Sequence, residues 1–304
     1  MIYTSEDNWY KWQYGDDKLF GRHTEFEFKT FFSKSKTPIG SFEEELKKAA
    51  KSTMDYYPNM RPAIMLSGGV DSELVLRVYK DIGANPIAYI ARYENDINII
   101  DVSYAIAGAF SIGVPYKIIN FNIHQFFINE AESVVEKAEV DFPRALPQLK
   151  FMNYVEDNEL PIYCSSDPSW YRPHDNYKIK ARWSSLCHEF DIGYSKWILL
   201  HNRPGIGEWF KWTPGLVLSY TRLNWFKKLI NDEIYGKTGV NSSKIVGYKE
   251  VYPQLLTRPK LTGFETVGPL IIEFEQFIEK KYGTLPFRGK VRRYLEDIER
   301  EIIG

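Results

Sequence analysis

The stretch that most limits how this chain can fold runs from residue 63 to residue 83. Ala63-Ile64-Met65-Leu66 is continuously apolar, as a strand buried on both faces of a parallel sheet should be. Ser67-Gly68-Gly69-Val70-Asp71-Ser72 then turns the chain, and Leu74, Val75, Val78, Tyr79 and Ile82 recur at helical spacing. Gly83 suits the left-handed position that stops a helix. The pattern repeats downstream. Asn85-Pro86 leads into a strand over 87–91, and a helix from about Asp101 carries Val102, Ala105, Ile106, Ala109 and Phe110 on one face. It ends before Gly113-Val114-Pro115, and 116–120 reads as a third strand. Helices over 124–138 and 145–157 precede a fourth strand at 161–164. Strands alternating with crossover helices predict an α/β fold, a mostly parallel sheet with helices on both faces.

The flanks are different. Trp9 to Tyr14 and Lys18-Leu19-Phe20 surround Gly15-Asp16-Asp17, a hairpin signal, and Phe26, Phe28, Thr30 and Phe32 alternate with Glu25, Glu27, Lys29 and Phe31. Ser41 with Glu44 three residues on forms a capping box before a helix reaching about Tyr56, which Pro58 and Pro62 close off. Beyond residue 170 the pattern loosens. Trp197-Ile198-Leu199-Leu200 reads as a fifth strand, while 215–235 and 269–282 have helical spacing. The expected division is an N-terminal β segment with its lead-in helix (1–57), an α/β domain (58–205) and a mostly helical region (206–304).

Composition enters where it excludes function classes. With 39 Lys+Arg against 40 Asp+Glu in 304 residues, no global field favours a polyanion or an acidic membrane. The 44% hydrophobic and 16% aromatic content supports a substantial core. Neither of the two cysteines, Cys164 and Cys187, belongs to a CxxC pair, so a four-thiolate metal site is out of reach. No basic stretch precedes an apolar core at the N-terminus, and no apolar run approaches the roughly 20 residues of a membrane helix. A reducing cytoplasm is the expected compartment.

The turn at 67–72 sits where open α/β sheets bind ligands, between a strand's C-terminal end and a helix N-terminus. Its glycines permit close backbone approach, the first-turn N–H groups favour an anion, and Ser67 and Ser72 add hydroxyls. Asp71 repels a bare phosphate but fits if Mg²⁺ lies between them, since that ion is usually held by one or two carboxylates plus phosphate oxygens. The stretch resembles the PP-loop of the ATP pyrophosphatase (adenine nucleotide α-hydrolase-like) superfamily, whose signature is SGGxDS after the first strand. It lacks the GK[ST] ending of a Walker loop. The likeness covers the motif and its context to about residue 167, roughly half the chain.

The resemblance implies that ATP lies across the strand tips and is cleaved between its α- and β-phosphates, leaving AMP on a substrate oxygen. Ser67, Gly68, Gly69, Asp71 and Ser72 would then clamp the pyrophosphate, backbone around Tyr89-Ile90-Ala91 would hold the adenine, and Leu66 and Arg92 would complete the nucleotide-binding set. Asp167, just after the fourth strand, would be the second Mg²⁺ carboxylate, although the Gly-Asp-Gly-Ala-Asp-Glu pattern of asparagine synthetases is absent. Relatives also bring a basic side chain from the C-terminal half onto the phosphates. Lys180, in the alternating Lys178-Ile179-Lys180-Ala181-Arg182, is the leading candidate, with Lys211 and Lys260 as rivals. The catalytic set is therefore expected to be Asp71, Asp167 and Lys180.

Sulfur transfer is disfavoured, because Cys164 sits at a strand tip without a partner and Cys187 falls in an expected helix. Of the five histidines, His174, near Asp167, is the one closest to the expected site. The sixty or so residues before the loop are too few for a glutaminase domain. The expected activity is Mg-ATP-dependent adenylation of a small-molecule carboxylate or carbonyl, followed by attack of an amine or ammonia: an AMP-forming, C–N bond-forming ligase. Two alternatives stay open. One is a tRNA- or nucleobase-modifying member, with Trp209, Trp212 and Trp225 and the cluster Arg288, Lys290, Arg292 and Arg293 as possible contacts, although acidic residues follow that cluster at helical spacing. The other is a nucleotide-binding module that does not turn over. Oligomeric state is not legible.

Overall fold

The computed structural model describes residues 10–14, 28–140, 142–164, 184–188, 192–230, 240–257, 263–283 and 290–304. At the N-terminus β1 (Tyr10–Tyr14) pairs antiparallel with β2 (Phe28–Phe32), Tyr10 opposite Phe32 and Tyr14 opposite Phe28. The sequence suggested a tighter hairpin around residues 15–17. The partner is instead the alternating 28–32 segment, because this register puts Tyr10, Trp12, Tyr14, Phe28, Thr30 and Phe32 on one buried face. Lys18-Leu19-Phe20 lies outside the described residues. Helix α1 (Phe42–Tyr56) starts at the predicted capping box, with Ser41 N–H donating to the Glu44 carboxylate at 2.7 Å and Glu44 N–H donating to Ser41 Oγ.

The α/β pattern then unfolds as read. Strand β3 (Arg61–Met65) leads to α2 (Val70–Asp81), β4 (Ile87–Tyr93), α3 (Ile99–Ile112) and β5 (Tyr116–Phe121). Gly83 and Gly113 take left-handed φ values of +77° and +69° after α2 and α3. The return connection contains α4 (Ile123–Asn129), α5 (Ala131–Ala138) and α6 (Leu146–Phe151), ending in β6 (Glu159–Ile162). The expected single helix over 124–138 is broken at Glu130, whose φ of −127° is not helical. The helix expected over 145–157 ends early, in a 3₁₀ turn at Met152–Tyr154.

All four strands run parallel in the order β5-β4-β3-β6. The chain steps outward from β3 to β5 and then crosses back to β6. With right-handed crossovers, this reversal places the outbound and return helices on opposite faces. The packing agrees. Ile64, Ala88, Ile90, Leu160 and Ile162 face the core shared with α1–α3. Ala63, Met65, Ile87 and Tyr89 face the core shared with α4–α6. The switch point lies between β3 and β6, directly at the 67–72 turn.

Downstream elements complete both layers. They are β7 (Ser184–His188), α7 (Gly193–Leu200), α8 (Pro214–Tyr220), α9 (Asn224–Ile230), α10 (Val240–Lys249), α11 (Gly268–Tyr282), β8 (Lys290–Tyr294) and α12 (Leu295–Ile303). Residues 197–200 form a helix, not a fifth strand, with Tyr194, Trp197 and Ile198 buried one helical turn apart; a four-residue apolar run fits either structure. Cys187 lies on β7, which pairs antiparallel with β8, so the helix expected around it is not formed. Residues 290–294 of the basic cluster are likewise strand, and only 295–303 is helix. The helical spacing read over 215–235 corresponds, among the described residues, to α8 and α9.

Cations fasten the hairpin to this body. Lys196 on α7 is fully buried, donates to Tyr14 Oη at 2.6 Å and lies 4.7 Å from the Tyr14 ring centroid. Lys211 Nζ is 4.2 Å from the Tyr10 ring centroid, and Arg293 covers Phe32 while donating to Thr30 O and the Glu301 carboxylate. Such contacts are worth most where water is excluded.

A buried ion pair ties α2 to its neighbours. Arg77 donates to Glu73 at 2.7 and 3.0 Å and to Ser111 Oγ at 3.2 Å, while Leu256 N–H donates to the other Glu73 oxygen at 3.1 Å. Glu73→Ala leaves the Arg77 guanidinium buried without its carboxylate. The substitution is expected to cost about 3–5 kcal/mol, measured as the loss of unfolding free energy in urea.

Candidate functional site

The 67–72 turn leaves β3 at the switch point and enters α2 at Gly69, the N-cap residue. Gly68 has φ +71°, and a Cβ there would collide with the Asp101 carbonyl oxygen and lie 3.1 Å from Ala105 N. Only glycine allows the loop to press this closely against the first turn of α3. Within the loop, Ser72 Oγ donates to Gly69 O at 3.1 Å and sits 3.3 Å from both Ser67 N and Ser67 Oγ. Gly69 N–H donates to Ser67 Oγ at 3.3 Å. These weak internal bonds shape a ring of N–H groups and hydroxyls at the positive end of the α2 dipole.

Asp71 occupies the first turn of α2, and the structure reveals its partners. Lys244 Nζ donates to one carboxylate oxygen at 3.1 Å and Tyr248 Oη donates to the other at 2.9 Å. Both donors come from one face of α10, four residues apart. Neither was among the residues singled out from sequence. The Ser242-Ser243-Lys244 stretch carries no motif, and Asp71 lies 173 residues away. The readable signal was the expectation, implied by the resemblance, that the C-terminal half supplies a basic side chain, which the sequence reading placed at Lys180.

A cleft of about 230 Å³ opens beside the loop. Leu66, Ser67, Ile90 and Ala91 line it along the strand tips, Asn98 and Val102 on the α3 side, and Arg144, Tyr163 and Phe264 opposite. Tyr89 also lines it, and its hydroxyl donates to the buried Glu159 at 2.5 Å and accepts from Lys117 at 3.0 Å. Burial and Glu159 raise the Tyr89 pKa, with Lys117 opposing them, so the phenol stays protonated. Asn98 closes the tip of β4, its amide donating to Ala91 O at 2.9 Å and its oxygen accepting from Tyr93 N–H at 2.8 Å. Tyr89 O already accepts from Leu66 N–H at 2.9 Å.

The sequence-derived residues divide as follows. Leu66, Ser67, Gly68, Gly69, Asp71 and Ser72 form the loop and its entry, and Ile90 lines the cleft. Arg92 forms a two-point ion pair with Asp96, at 2.5 and 2.9 Å, and is absent from the cleft lining. Lys211 is buried against Tyr10. Asp167, Lys180, His174 and Lys260 lie outside the described residues. Trp209 and Trp225 are buried in the core, with Trp209 Nε1–H donating to Tyr79 Oη at 3.1 Å, so neither offers a face for stacking bases. Trp212 Nε1–H donates to Ser52 Oγ.

Among the described residues no group of three or more His, Cys, Asp or Glu side chains can hold a metal ion. A divalent cation at the loop would therefore take Asp71 and complete its shell with phosphate oxygens, the donor set Mg²⁺ commonly accepts. No helix among the described residues is long and apolar enough to cross a membrane.

No protein-family model matches the chain, and no curated protein matches it. Solved structures similar to it include the NMN synthetase from Francisella tularensis, at 14% identity and a TM-score of 0.37, covering 79% of this chain and 94% of that one. The NH3-dependent NAD synthetase from Campylobacter jejuni subsp. jejuni NCTC 11168 in complex with the nitrate ion follows, at 15% identity and a TM-score of 0.36, covering 79% and 92%. The glutamine-dependent NAD+ synthetase from Acinetobacter baumannii in complex with ADP has 16% identity and a TM-score of 0.35, covering 80% of this chain and 51% of that one. At these scores the strand order and loop geometry, not the likeness, carry the description of the fold.

Cys164, at the tip of β6, is a poor nucleophile here. Burial pushes its thiol well above the ordinary value, and the nearby Asp71 carboxylate pushes it further in the same direction. A raised thiol pKa means a neutral sulfur at pH 7.5, with thiolate appearing only as the pH climbs. Peptide mass mapping after iodoacetamide treatment at pH 7.5 is expected to show Cys164 modified at least about tenfold more slowly in the folded protein than in urea. Fast modification of the folded protein would revive a sulfur-transfer role.

Proposed function

We propose that this protein uses Mg-ATP to adenylate a small-molecule carboxylate or carbonyl, releasing pyrophosphate, and that an amine or ammonia then displaces AMP. The observation that supports this most directly is the 67–72 loop at the switch point, with Asp71 on the first helical turn and Lys244 reaching it from the C-terminal half. That arrangement joins anion-binding N–H groups, a metal-binding carboxylate and a cation at one point.

In the first step an acceptor oxygen attacks the α-phosphorus and the bond to the β-phosphate bridging oxygen breaks. The loop N–H groups, Ser67 and Ser72 receive the departing pyrophosphate. Mg²⁺ held by Asp71, when bound, supplies neutralisation of the charge gathering on that leaving group. Lys244 adds a second positive charge, and the apolar walls around Ile90 and Phe264 keep the nucleotide away from water. In the second step a nitrogen attacks the adenylated carbon, the C–N bond forms, the C–O bond to AMP breaks and the amine proton goes to solvent. Asp167 as a second metal carboxylate and Lys180 as a further phosphate contact belong to this reading on the sequence resemblance alone.

The test is the identity of the products. Purified protein with ATP, Mg²⁺ and a panel of amino acids, nucleobases and carboxylated nucleotides should form AMP and pyrophosphate in equal amounts. Asp71→Asn should lower that rate by about 100-fold or more. Stoichiometric ADP and phosphate would sink the proposal.

A further inference from the structure

We infer that Lys244 and Tyr248 keep the loop carboxylate self-neutralised, so that the loop takes its metal only together with the nucleotide, Lys244 then exchanging Asp71 for a phosphate. The inference rests on the reading above that the loop binds Mg-ATP. It concerns the order in which the site fills, which that reading leaves open.

The geometry separates the two donors. Tyr248 is fully buried, its ring stacked near-parallel with Phe42 and with Phe210 at 6.0 Å each, and Tyr220 packs edge-on against it. Its hydroxyl is therefore aimed at Asp71 by a rigid aromatic stack, and it fixes the carboxylate orientation. Lys244 is different. Its side chain is partly exposed and ends in a flexible stem, so its ammonium can leave Asp71 without disturbing the core. Tyr248 is a positioning residue and Lys244 an exchangeable counter-ion.

Two features make the exchange necessary. Both Asp71 oxygens already carry a donor, one of them a full positive charge at 3.1 Å. A divalent ion arriving alone must compete with that ammonium for the Asp71 carboxylate. Arriving with ATP, the ion brings phosphate oxygens that fill its shell. The same phosphates give Lys244 a new partner within the loop's own anion site. Phosphate thus draws Lys244 away from Asp71 and frees that carboxylate for the ion.

Mn²⁺ serves as the probe, its binding followed by electron paramagnetic resonance with and without a non-hydrolysable ATP analogue. The wild type should bind Mn²⁺ measurably only with the analogue. Lys244→Met, which keeps the stem but removes the charge, should raise affinity for Mn²⁺ alone on the order of tenfold. It should also weaken binding of the metal-free analogue. Tyr248→Phe, which preserves the stack, should weaken the Mn²⁺-analogue complex without any gain for Mn²⁺ alone. Lys244→Arg should restore the wild-type preference. Equal binding of Mn²⁺ alone by wild type and Lys244→Met, beside normal binding of the Mn²⁺-analogue complex, would overturn the inference and leave the functional reading standing. Failure of the wild type to bind the complex at all would overturn the functional reading itself.

Discussion

The approach of Gly68 to the carbonyl of Asp101 is the contact from which the rest of the site follows. It presses the anion-binding loop against the first turn of α3 and thereby decides where the cleft runs. Immediately behind it, the Glu73–Arg77 pair bonds α2 to Ser111 at the far end of α3, and Gly108 leaves room for the Glu73 side chain between the helices. Loop, α2 and α3 thus form one unit pinned at both ends. Such a frame holds the loop's N–H groups in fixed directions, which a loop free to drift by about an ångström would lose.

Much of this was legible in the sequence, and the reasons are local. Central strands of a parallel sheet read as unbroken apolar runs, so 63–66 and 87–91 announced themselves. The loop was legible because its chemistry is compressed into six consecutive positions. The capping box at Ser41 and Glu44 and the stops at Gly83 and Gly113 were equally local. What could not be read depended on partners far along the chain. Lys244 has meaning only beside Asp71, and Asn98 only against the tip of β4. The apolar run at 197–200 has no period long enough to separate helix from strand, and packing beside α5 and α6 decided it. Arg92 was placed by its strand position, but Asp96 lay close enough to claim its guanidinium.

Three carboxylates among the described residues each gather more than one donor. Glu159 collects Tyr89, Lys117 and Arg61; Glu73 collects Arg77 and a backbone N–H; Asp71 collects Lys244 and Tyr248. The first two sets lie within the fold and brace it. In the third the carboxylate itself is 26% exposed, so a ligand can replace a partner there without leaving an uncompensated charge in the core. What sets the Asp71 pair apart from the other two is the access of its carboxylate to solvent.

The N-terminal hairpin carries a consequence of another kind, in the time order of folding. Phe32 N–H donates to Glu301 across 269 residues, and Arg293 reaches Thr30 across 263. The hairpin therefore leaves the ribosome well before the segments that cover it. The parallel sheet draws on nearer partners and can form before the chain is complete, whereas the hairpin's aromatic face waits for α7, Lys211 and finally the β8–α12 turn. Contacts of such long sequence separation close slowly because loop entropy is lost before they stabilise anything. Until then Tyr10, Trp12, Tyr14, Phe28 and Phe32 are an uncovered apolar strand pair, and this is the interval in which a growing chain is most exposed to association with its neighbours.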